Sequence, residues 1–373
     1  MLAAAGGLAL LIGFGAFFAF GNPGTHPVAA ATPVPRLTAS PSPSPSPTLS
    51  PSPAPSPSPT PVVARCPLNG LPIDDAALGE RTALIVQIEN HPLARPARNL
   101  NRADIVFEAP VEGDTTRFSA VFLCQPTEGL TGPVRSARYY DIDLWQELHG
   151  LVVGFGASNG ALDRFAAAGM PYVNGITGGW PWYTRYGPRP APHNLYADIE
   201  QIHASFGSNA RLDGLAAHLG AVRPPFAIDP ELTLPPGHAV ASVTIQTNSY
   251  WRFGWTWDAS ATSWLRQDAG KRVVDAVDDH PVSAGTVVVQ RVTQEVVLGD
   301  PDPGGNSRRL QHLVGSGTGT IYVNGQAIAA RWSRPKASDG TRWTYADGGK
   351  PVVLPPGRIW WEIVPTSASV SED

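Results

Sequence analysis

The sequence predicts an α+β protein, with a mixed α/β N-terminal domain followed by a mainly antiparallel β C-terminal domain. Between residues 66 and 236, β-branched apolar runs alternate with helix-like segments, a mixture typical of layered domains. Between residues 237 and 366, short strand-like runs recur between turn signals such as Asn324-Gly325, with no long helical pattern. An apolar fraction of 42% is enough to form real cores in both. A short polar tail, 367–373, closes the chain.

The elements of the first domain follow from local patterns. Strands are predicted at 82–89, 104–109, 117–124 and 151–155, with a short one at 131–135, because these runs are rich in β-branched and apolar residues. Helices are predicted at 139–149, 160–168, 196–206 and 209–219. The second domain has predicted strands at 239–247, 250–257, 286–293, 319–323, 327–332, 342–345 and 359–364.

Two segments precede these domains. Residues 1–22 contain an uncharged apolar run that is long enough to span a bilayer as a helix. No Lys or Arg occurs before Arg36, so the basic start of a secretory signal is missing, although Val28-Ala29-Ala30 resembles a cleavage site. A transmembrane anchor and a cleaved signal therefore both stay open. Residues 23–65 repeat Ser-Pro, which predicts a disordered, semi-rigid spacer that holds the folded part away from a membrane.

Charge and cysteine content exclude several classes of function. The formal net charge of -4 argues against a general nucleic-acid binder, which carries a basic excess. The two cysteines, Cys66 and Cys124, cannot make a thiolate zinc site, and no HExxH motif occurs, so neither a metal nor a cofactor is predicted. Outside the cell these cysteines could form one disulfide or remain free thiols.

Charged side chains concentrate between the predicted strands of residues 102–138, in a chain of which only 16% is charged. Placing charge beside buried strands costs free energy unless the charge is paired. The stretch therefore indicates a polar, anion-recognising site at the end of a sheet, with a set of surface and turn charges as the alternative. The charged residues concerned are Glu108, Glu112, Arg117, Arg135 and Arg138.

Arginines are the predicted ligand-binding groups. Arg135 and Arg138 follow Gly132-Pro133, where a strand should end and a helix begin, so free amide donors should lie beside two guanidiniums. Forked guanidinium donors suit phosphate or carboxylate. Arg117, and Arg95 in the preceding proline-rich loop, complete the predicted set. Internal pairing with the glutamates is a compatible alternative.

Other candidates lie on loops and in the acidic pair. Glu108 and Glu112 could serve as acid and base in glycoside hydrolysis, but structural ion pairing with Arg117 is the favoured interpretation. His193, in a proline-rich loop, could shuttle protons, or simply face solvent. Three polar residues could contact the same anion: Ser158 and Asn159, within the GFGASNG turn before a predicted helix, and Asn194.

Tryptophans offer a second kind of ligand surface. Eight of the 11 lie in the C-terminal half, where core filling is the favoured interpretation and stacking on sugar rings the alternative. Trp180 and Trp182 lie among glycines and prolines, and are predicted to be exposed in a loop.

Longer motifs resemble a known family. In the first half they are ARP at 94–96, RADIVFE at 102–108, VEGDTTRFSAVF at 111–122, GPVRSAR at 132–138 and PHNLY at 192–196. In the second they are VVVQ at 287–290, GTGTIYVNGQ at 317–326, WSRP at 332–335 and PVVLPPGRIWWEIVP at 351–365. Residues 66–365 thus resemble the YerB-like family of bacterial lipoproteins, whose function is not established. The resemblance implies a two-part extracytoplasmic domain tethered to the membrane, and no assigned chemistry. The chain departs from the lipoprotein pattern because no lipid-box cysteine follows its apolar run, which leaves the type of anchor open.

The sequence is compatible with three alternative functions. The leading one is an extracytoplasmic cell-envelope protein, anchored in the cell membrane through its N-terminal segment, that recognises an anionic or glycan cell-wall ligand. The second is an envelope hydrolase or transferase of glycan or phosphodiester bonds, with Glu108, Glu112 or His193 as acid–base groups. The third is a structural or assembly partner in the envelope that uses the β domain as its interaction surface.

Overall fold

The computed structural model describes residues 63–248 and 251–373. The predicted membrane segment, 1–22, and nearly all of the predicted spacer, 23–65, lie outside the described residues. Strands make up 39% of the structure and helices 14%, so the protein is mostly β. The prediction of an α+β fold with a separate mixed α/β N-terminal domain is therefore wrong. No helix in the described part of the chain is long and apolar enough to cross a membrane.

Four α-helices and three short 3₁₀ turns are found in the described residues. The helices are α1 (Asp141–Leu148), α2 (Asn159–Ala168), α3 (Ile199–Ala204) and α4 (Ala210–Ala216), and the 3₁₀ turns are Ala76–Glu80, Pro92–Ala94 and Leu100–Arg102.

Strands account for most of the remaining regular structure. In the first half they are β1 (Leu84–Glu89), β2 (Ile105–Pro110), β3 (Thr116–Phe122), β4 (Leu151–Gly154), β5 (Tyr172–Asn174), β6 (Tyr183–Arg185), β7 (Leu195–Ala197) and β8 (Ala227–Ile228). Then follow β9 (His238–Ala239), β10 (Ser242–Gln246), β11 (Arg252–Asp258), β12 (Ser263–Asp268), β13 (Lys271–Arg272), β14 (Ser283–Ala284), β15 (Thr286–Val292) and β16 (Gln294–Pro301). The last are β17 (Ser307–Gln311), β18 (Gly315–Val323), β19 (Gln326–Arg334), β20 (Arg342–Tyr345), β21 (Val353–Leu354), β22 (Ile359–Pro365) and β23 (Ser369–Glu372).

One eleven-stranded mixed sheet contains strands from both halves of the chain. Its order is β20-β19-β18-β15-β22-β2-β3-β1-β4-β5, with β9 paired to β19. The two halves are joined where β22 lies parallel to both β15 and β2, so that Ile105 is opposite Ile359. This long-range parallel pairing joins strands of the predicted N-terminal and C-terminal parts in one large mixed sheet.

A six-stranded sheet packs on one face of the large sheet. Its order is β13-β12-β11-β10-β23, with β14 paired to β12. Strand β23 lies within the predicted polar tail and pairs antiparallel with β10. Three two-stranded sheets complete the fold: β16 with β17, β21 with β8, and β6 with β7.

The central strands of the large sheet are covered on both faces. Every residue of β1, β2 and β3 is buried. Alternate side chains point to opposite faces, so Ile85 packs with helix residues such as Leu144, whereas Val86 packs in the core that contains Trp264 of the six-stranded sheet. Polar side chains on these strands must therefore find partners within the protein, or line a cleft at a strand end.

Cys66 and Cys124 form a disulfide with a Cα–Cα distance of 5.8 Å, which decides between the two alternatives left open by the sequence. It ties the start of the described fold to the residue that follows β3 by two positions. The prediction that Trp180 and Trp182 are exposed is wrong: both are buried and stack with ring centroids 5.0 Å apart. The guanidinium of Arg211 covers Trp180 at 4.2 Å.

Candidate functional site

A polar cleft of about 300 Å³ lies where β1 ends and the β2–β3 turn begins. We call it the arginine cleft. It is lined by Glu89, His91, Val111, Glu112, Gly113, Thr115, Arg117, Arg135, Arg138, His193, Asp302 and Asn306.

Strand pairing and turns bring these side chains together. Antiparallel pairing of β1 with β3 places Glu89 opposite Arg117. The β2–β3 turn holds Glu112 at the edge of the cleft, and Gly113 in that turn has a φ of 72°, which glycine adopts without strain. The segment that carries Arg135 is fixed from both sides, because its N–H donates to Gln87 O and its carbonyl accepts from Phe155 N–H, each at 2.9 Å.

The carboxylate of Glu89 lies between Arg135 and His193. Its Oε1 is 3.2 Å from Arg135 Nε and 3.1 Å from His193 Nδ1. Glu89 is only 3% exposed, and its Oε2 has no hydrogen-bond partner among the described residues. Arg135 is 29% exposed, and its two terminal nitrogens make no hydrogen bond within the described part of the chain. The four N–H donors on these two nitrogens are therefore free to face a ligand.

His91 stacks on His193, with ring centroids 4.9 Å apart and an interplanar angle of 17°. The Nδ1 of His91 accepts a hydrogen bond from Leu93 N–H at 3.2 Å. Burial, together with the neighbouring His193, lowers the pKa of His91 below its usual value. At neutral pH His91 is therefore uncharged and carries its proton on Nε2.

Arg117 forms the floor of the cleft. One of its terminal nitrogens donates to Ser136 O at 2.9 Å, whereas its buried Nε has no partner among the residues described. Burial lowers the pKa of Arg117 to about 9, and the nearby Arg138 and Arg135 charges act in the same direction. A guanidinium whose pKa is lowered by other guanidiniums marks a region of positive potential, which favours an anion.

Arg138 and Glu112 form a paired group at the edge of the cleft. Arg138 Nε donates to Glu112 Oε2 at 2.9 Å, its second nitrogen bonds Oε1, and Arg308 donates to the same Oε1 at 3.0 Å. Burial raises the pKa of Glu112, but the charges of Arg138 and Arg117 outweigh it, so the pKa is lowered overall. Glu112 is therefore ionised at neutral pH, and it links the β16–β17 hairpin to the cleft through Arg308.

Glu108 is buried below the cleft and does not line it. Its carboxylate accepts from Arg266 at 2.6 and 3.1 Å, from Trp360 Nε1 at 3.1 Å and from Thr116 Oγ1 at 2.7 Å. Its ion pair is thus with Arg266 of the six-stranded sheet, whereas Glu112 pairs with Arg138 and Arg308. The favoured prediction that these glutamates pair with Arg117 is therefore wrong. In this geometry Glu108 joins two sheets.

The other predicted ligand-binding residues lie outside the arginine cleft. Arg95 donates to Asn90 at 3.0 and 2.7 Å and forms an ion pair with Asp268. Ser158 caps α2 by accepting from Ala161 N–H at 3.2 Å, and Asn159 is the exposed first residue of that helix. Asn194 accepts from Arg185 at 2.8 Å. The cleft thus brings together these predicted residues: Glu112, Arg117, Arg135, Arg138 and His193.

Sequence reasoning missed Glu89, His91, Asp302 and Asn306. Glu89 ends the strand that was predicted at 82–89 from its apolar and β-branched residues, and a charge at the end of such a run is itself a signal of a strand-end site. His91 belongs to a loop in which only Arg95 was singled out. Asp302 and Asn306 lie on the turn between β16 and β17. No local sequence pattern connects that turn to residues 102–138.

Comparison with known proteins identifies the family. Residues 68–211 match the model of the N-terminal domain of a protein of unknown function, DUF3048, and residues 241–361 match its C-terminal domain. A Bacillus subtilis (strain 168) protein named "Putative lipoprotein YerB" is 28% identical over 312 residues, which cover 83% of this chain and 89% of that protein. The chain belongs to the YerB-like family.

A solved structure supports the same conclusion. The crystal structure of the YerB protein from Bacillus subtilis superposes with a TM-score of 0.67 at 27% identity, over 82% of this chain and 99% of that one. The YerB-like resemblance predicted from the sequence motifs is therefore confirmed. Membership of this family supports the expectation of an extracytoplasmic protein.

Proposed function

We propose that this chain is an extracytoplasmic cell-envelope protein that recognises an anionic ligand in the arginine cleft. Its anchoring to the membrane through residues 1–22 is part of the proposal. The relative named as a lipoprotein and the Cys66–Cys124 disulfide, a bond that persists in oxidising compartments, both support this location.

The observation that carries the proposal is a set of unused donors around one cavity. Arg135 has free terminal nitrogens, and Arg117 is buried with an unpartnered Nε among the described residues. A buried donor without a partner costs free energy that a bound acceptor recovers. Charge-assisted bonds from guanidinium to an oxyanion are among the strongest available.

An anion is favoured over an uncharged glycan. Stacking on a sugar ring needs an exposed aromatic face, and the two tryptophans predicted to offer one, Trp180 and Trp182, are buried. The lining of the arginine cleft is instead formed by charged and polar side chains. Anionic groups carried by a wall polymer fit this lining.

Isothermal titration calorimetry of the full chain in detergent micelles, with inorganic phosphate at low salt, tests the proposal. We expect Arg135→Gln to weaken binding about tenfold or more, since a hydrogen bond to a charged group contributes about 1.5–3 kcal/mol. Arg331→Gln, on an exposed residue of β19, is the matched control and should bind like the wild type. Equal affinity of Arg135→Gln and the wild type would contradict the assignment.

A further inference from the structure

The two stacked histidines of the arginine cleft carry their protons on different nitrogens. His91 Nδ1 accepts from Leu93 N–H, so its proton is on Nε2 and that nitrogen is a donor. His193 Nδ1 lies 3.1 Å from the Glu89 carboxylate, which only accepts, so Nδ1 carries the proton. Its Nε2 then holds a lone pair, and no described residue bonds it. One imidazole therefore offers a donor and its neighbour a proton acceptor.

The Glu89–His193 pair has the geometry of an oriented general base. A buried carboxylate that binds one imidazole nitrogen fixes the tautomer and stabilises the imidazolium formed when the other nitrogen takes a proton. Glu89 meets this requirement because it is 3% exposed and is itself fixed by Arg135 at 3.2 Å. A base held beside free guanidinium donors suits attack on an anionic, electrophilic group.

Formal charge favours a singly charged ligand. Three arginines line the cleft, and Glu89, Glu112 and Asp302 offset them. Arg308, bonded to Glu112 from the adjoining hairpin, is itself paired with Asp300 at 3.4 Å, so the formal charges in and beside the cleft balance. A phosphodiester carries one negative charge at its phosphorus, whereas a phosphomonoester carries nearly two at neutral pH. A cleft without excess positive charge therefore favours the diester, because it brings in the smaller negative charge.

We propose that the arginine cleft hydrolyses a phosphodiester, with His193 as the general base and Glu89 as its positioning residue. This rests on the proposed function, since the same arginines must hold the anion. The oxygen of a water molecule forms a bond to phosphorus while its proton passes to His193 Nε2. The P–O bond to one alcohol breaks, and its electron pair stays on the leaving oxygen.

The proton taken up by His193 is returned at the end of the reaction. The proton held by His193 passes through solvent to the leaving oxygen, which gives a phosphomonoester and a free alcohol. Arg135 and the Nε2–H of His91 donate to the non-bridging oxygens as negative charge grows on them. Glu89 does not touch the reacting atoms.

Hydrolysis of bis(4-nitrophenyl) phosphate by the full chain in detergent micelles tests this. We expect His193→Asn to lower kcat at least about 100-fold, in the range of general base catalysis. Glu89→Gln should lower kcat and move the rising limb of the kcat/KM–pH profile to lower pH, because the imidazolium loses a stabilising charge. If Glu89 had only a structural role, its substitution would not move the rising limb of this pH profile. His280→Asn, on a side chain that is 76% exposed, should leave turnover unchanged.

Failure of the catalytic proposal and failure of the anion site give different experimental results. No turnover by the wild type, with phosphate binding intact by calorimetry, would overturn the catalytic proposal and leave the anion site standing. No turnover and no phosphate binding would overturn both. Turnover that persists in a folded His193→Asn variant would overturn the role of His193.

Discussion

Glu89 Oε1 lies 3.1 Å from His193 Nδ1 and 3.2 Å from Arg135 Nε, so one buried carboxylate orients both an imidazole and a guanidinium. Glu89 is thereby the centre of the arginine cleft, although no sequence motif marked it. We propose different tasks for the two groups that it contacts: Arg135 binds the anion and His193 takes a proton.

Glu89→Gln should move binding and turnover in opposite directions. Removing a negative charge that lies against Arg135 is expected to tighten phosphate binding at least about tenfold, because close charges near a protein surface interact by a few kcal/mol and tenfold corresponds to about 1.4 kcal/mol. Turnover should fall at the same time. Calorimetry on Glu89→Gln measures the affinity, with Glu128→Gln, on an exposed residue paired to Arg102, as the control. Weaker binding by Glu89→Gln would show that Glu89 positions Arg135 more than it competes with the ligand.

Glu112→Gln should destabilise the protein strongly. Arg138 is 7% exposed and forms its ion pair with this carboxylate, whereas Arg308, which is 11% exposed, also pairs with Asp300 at 3.4 Å. Neutralising Glu112 therefore leaves the nearly buried guanidinium of Arg138 without a counter-ion among the described residues. Breaking such a group costs about 3–5 kcal/mol of unfolding free energy. Urea denaturation measures the cost. The control Glu128→Gln breaks the ion pair of Glu128 with Arg102, in which the glutamate side chain is 57% exposed. It should change the free energy of unfolding by less than about 1 kcal/mol.

Glu362→Gln should alter how stability depends on pH. Glu362 lies opposite Glu108 on adjacent parallel strands, and burial and then the charge of Glu108 raise its pKa well above the usual value. The folded state therefore keeps a proton that the unfolded chain releases above about pH 4.3. The contribution of Glu362 to the free energy of unfolding therefore falls as the pH rises from about 4.3 to the raised pKa.

The glutamine variant lacks this proton and keeps the shape of the neutral acid, including the oxygen that accepts from Trp255 Nε1 at 2.8 Å. Relative to the wild type, its unfolding free energy should rise with pH by at most about 1.4 kcal/mol per pH unit. Urea denaturation of both proteins at pH 5, 6.5 and 8 gives the comparison. Parallel profiles would mean that Glu362 is ionised in the fold.

Removal of the disulfide should lower stability without affecting the arginine cleft. The bond closes a loop with a sequence separation of 58, for which chain entropy predicts a loss of about 4 kcal/mol. The double variant Cys66→Ser, Cys124→Ser should show this loss in urea denaturation and keep its affinity for phosphate. A loss of affinity in the folded double variant would place the disulfide among the determinants of the cleft.

Local patterns identified most elements of the fold but not how they assemble. The strand predicted at 342–345 is confirmed as β20, and the one predicted at 82–89 contains β1, because alternation and β-branching are properties of a single strand. Pairing of β2 with β22 depends on partners far apart in the chain. Such pairing leaves no mark on either strand alone, so the large mixed sheet could not be predicted from local sequence.

Local sequence likewise identified some residues of the arginine cleft but not their long-range partners. Arg117, Arg135 and Arg138 lie within one short stretch, and the expectation that charge beside buried strands marks a site led to them directly. Glu108 belongs to the same stretch, but its partner Arg266 lies in the other sheet, so its burial could not be read from local sequence. Asp302 reaches the cleft only through tertiary packing of the β16–β17 hairpin.

A crystal structure of the full chain soaked in inorganic phosphate would show whether the arginine cleft binds an anion. We expect tetrahedral density in the arginine cleft, within hydrogen-bond distance of Arg135 and Arg117, with His193 still bonded to Glu89. Density elsewhere, or a cleft that stays free of phosphate at concentrations that saturate calorimetric binding, would contradict the assignment of this cleft as the anion site.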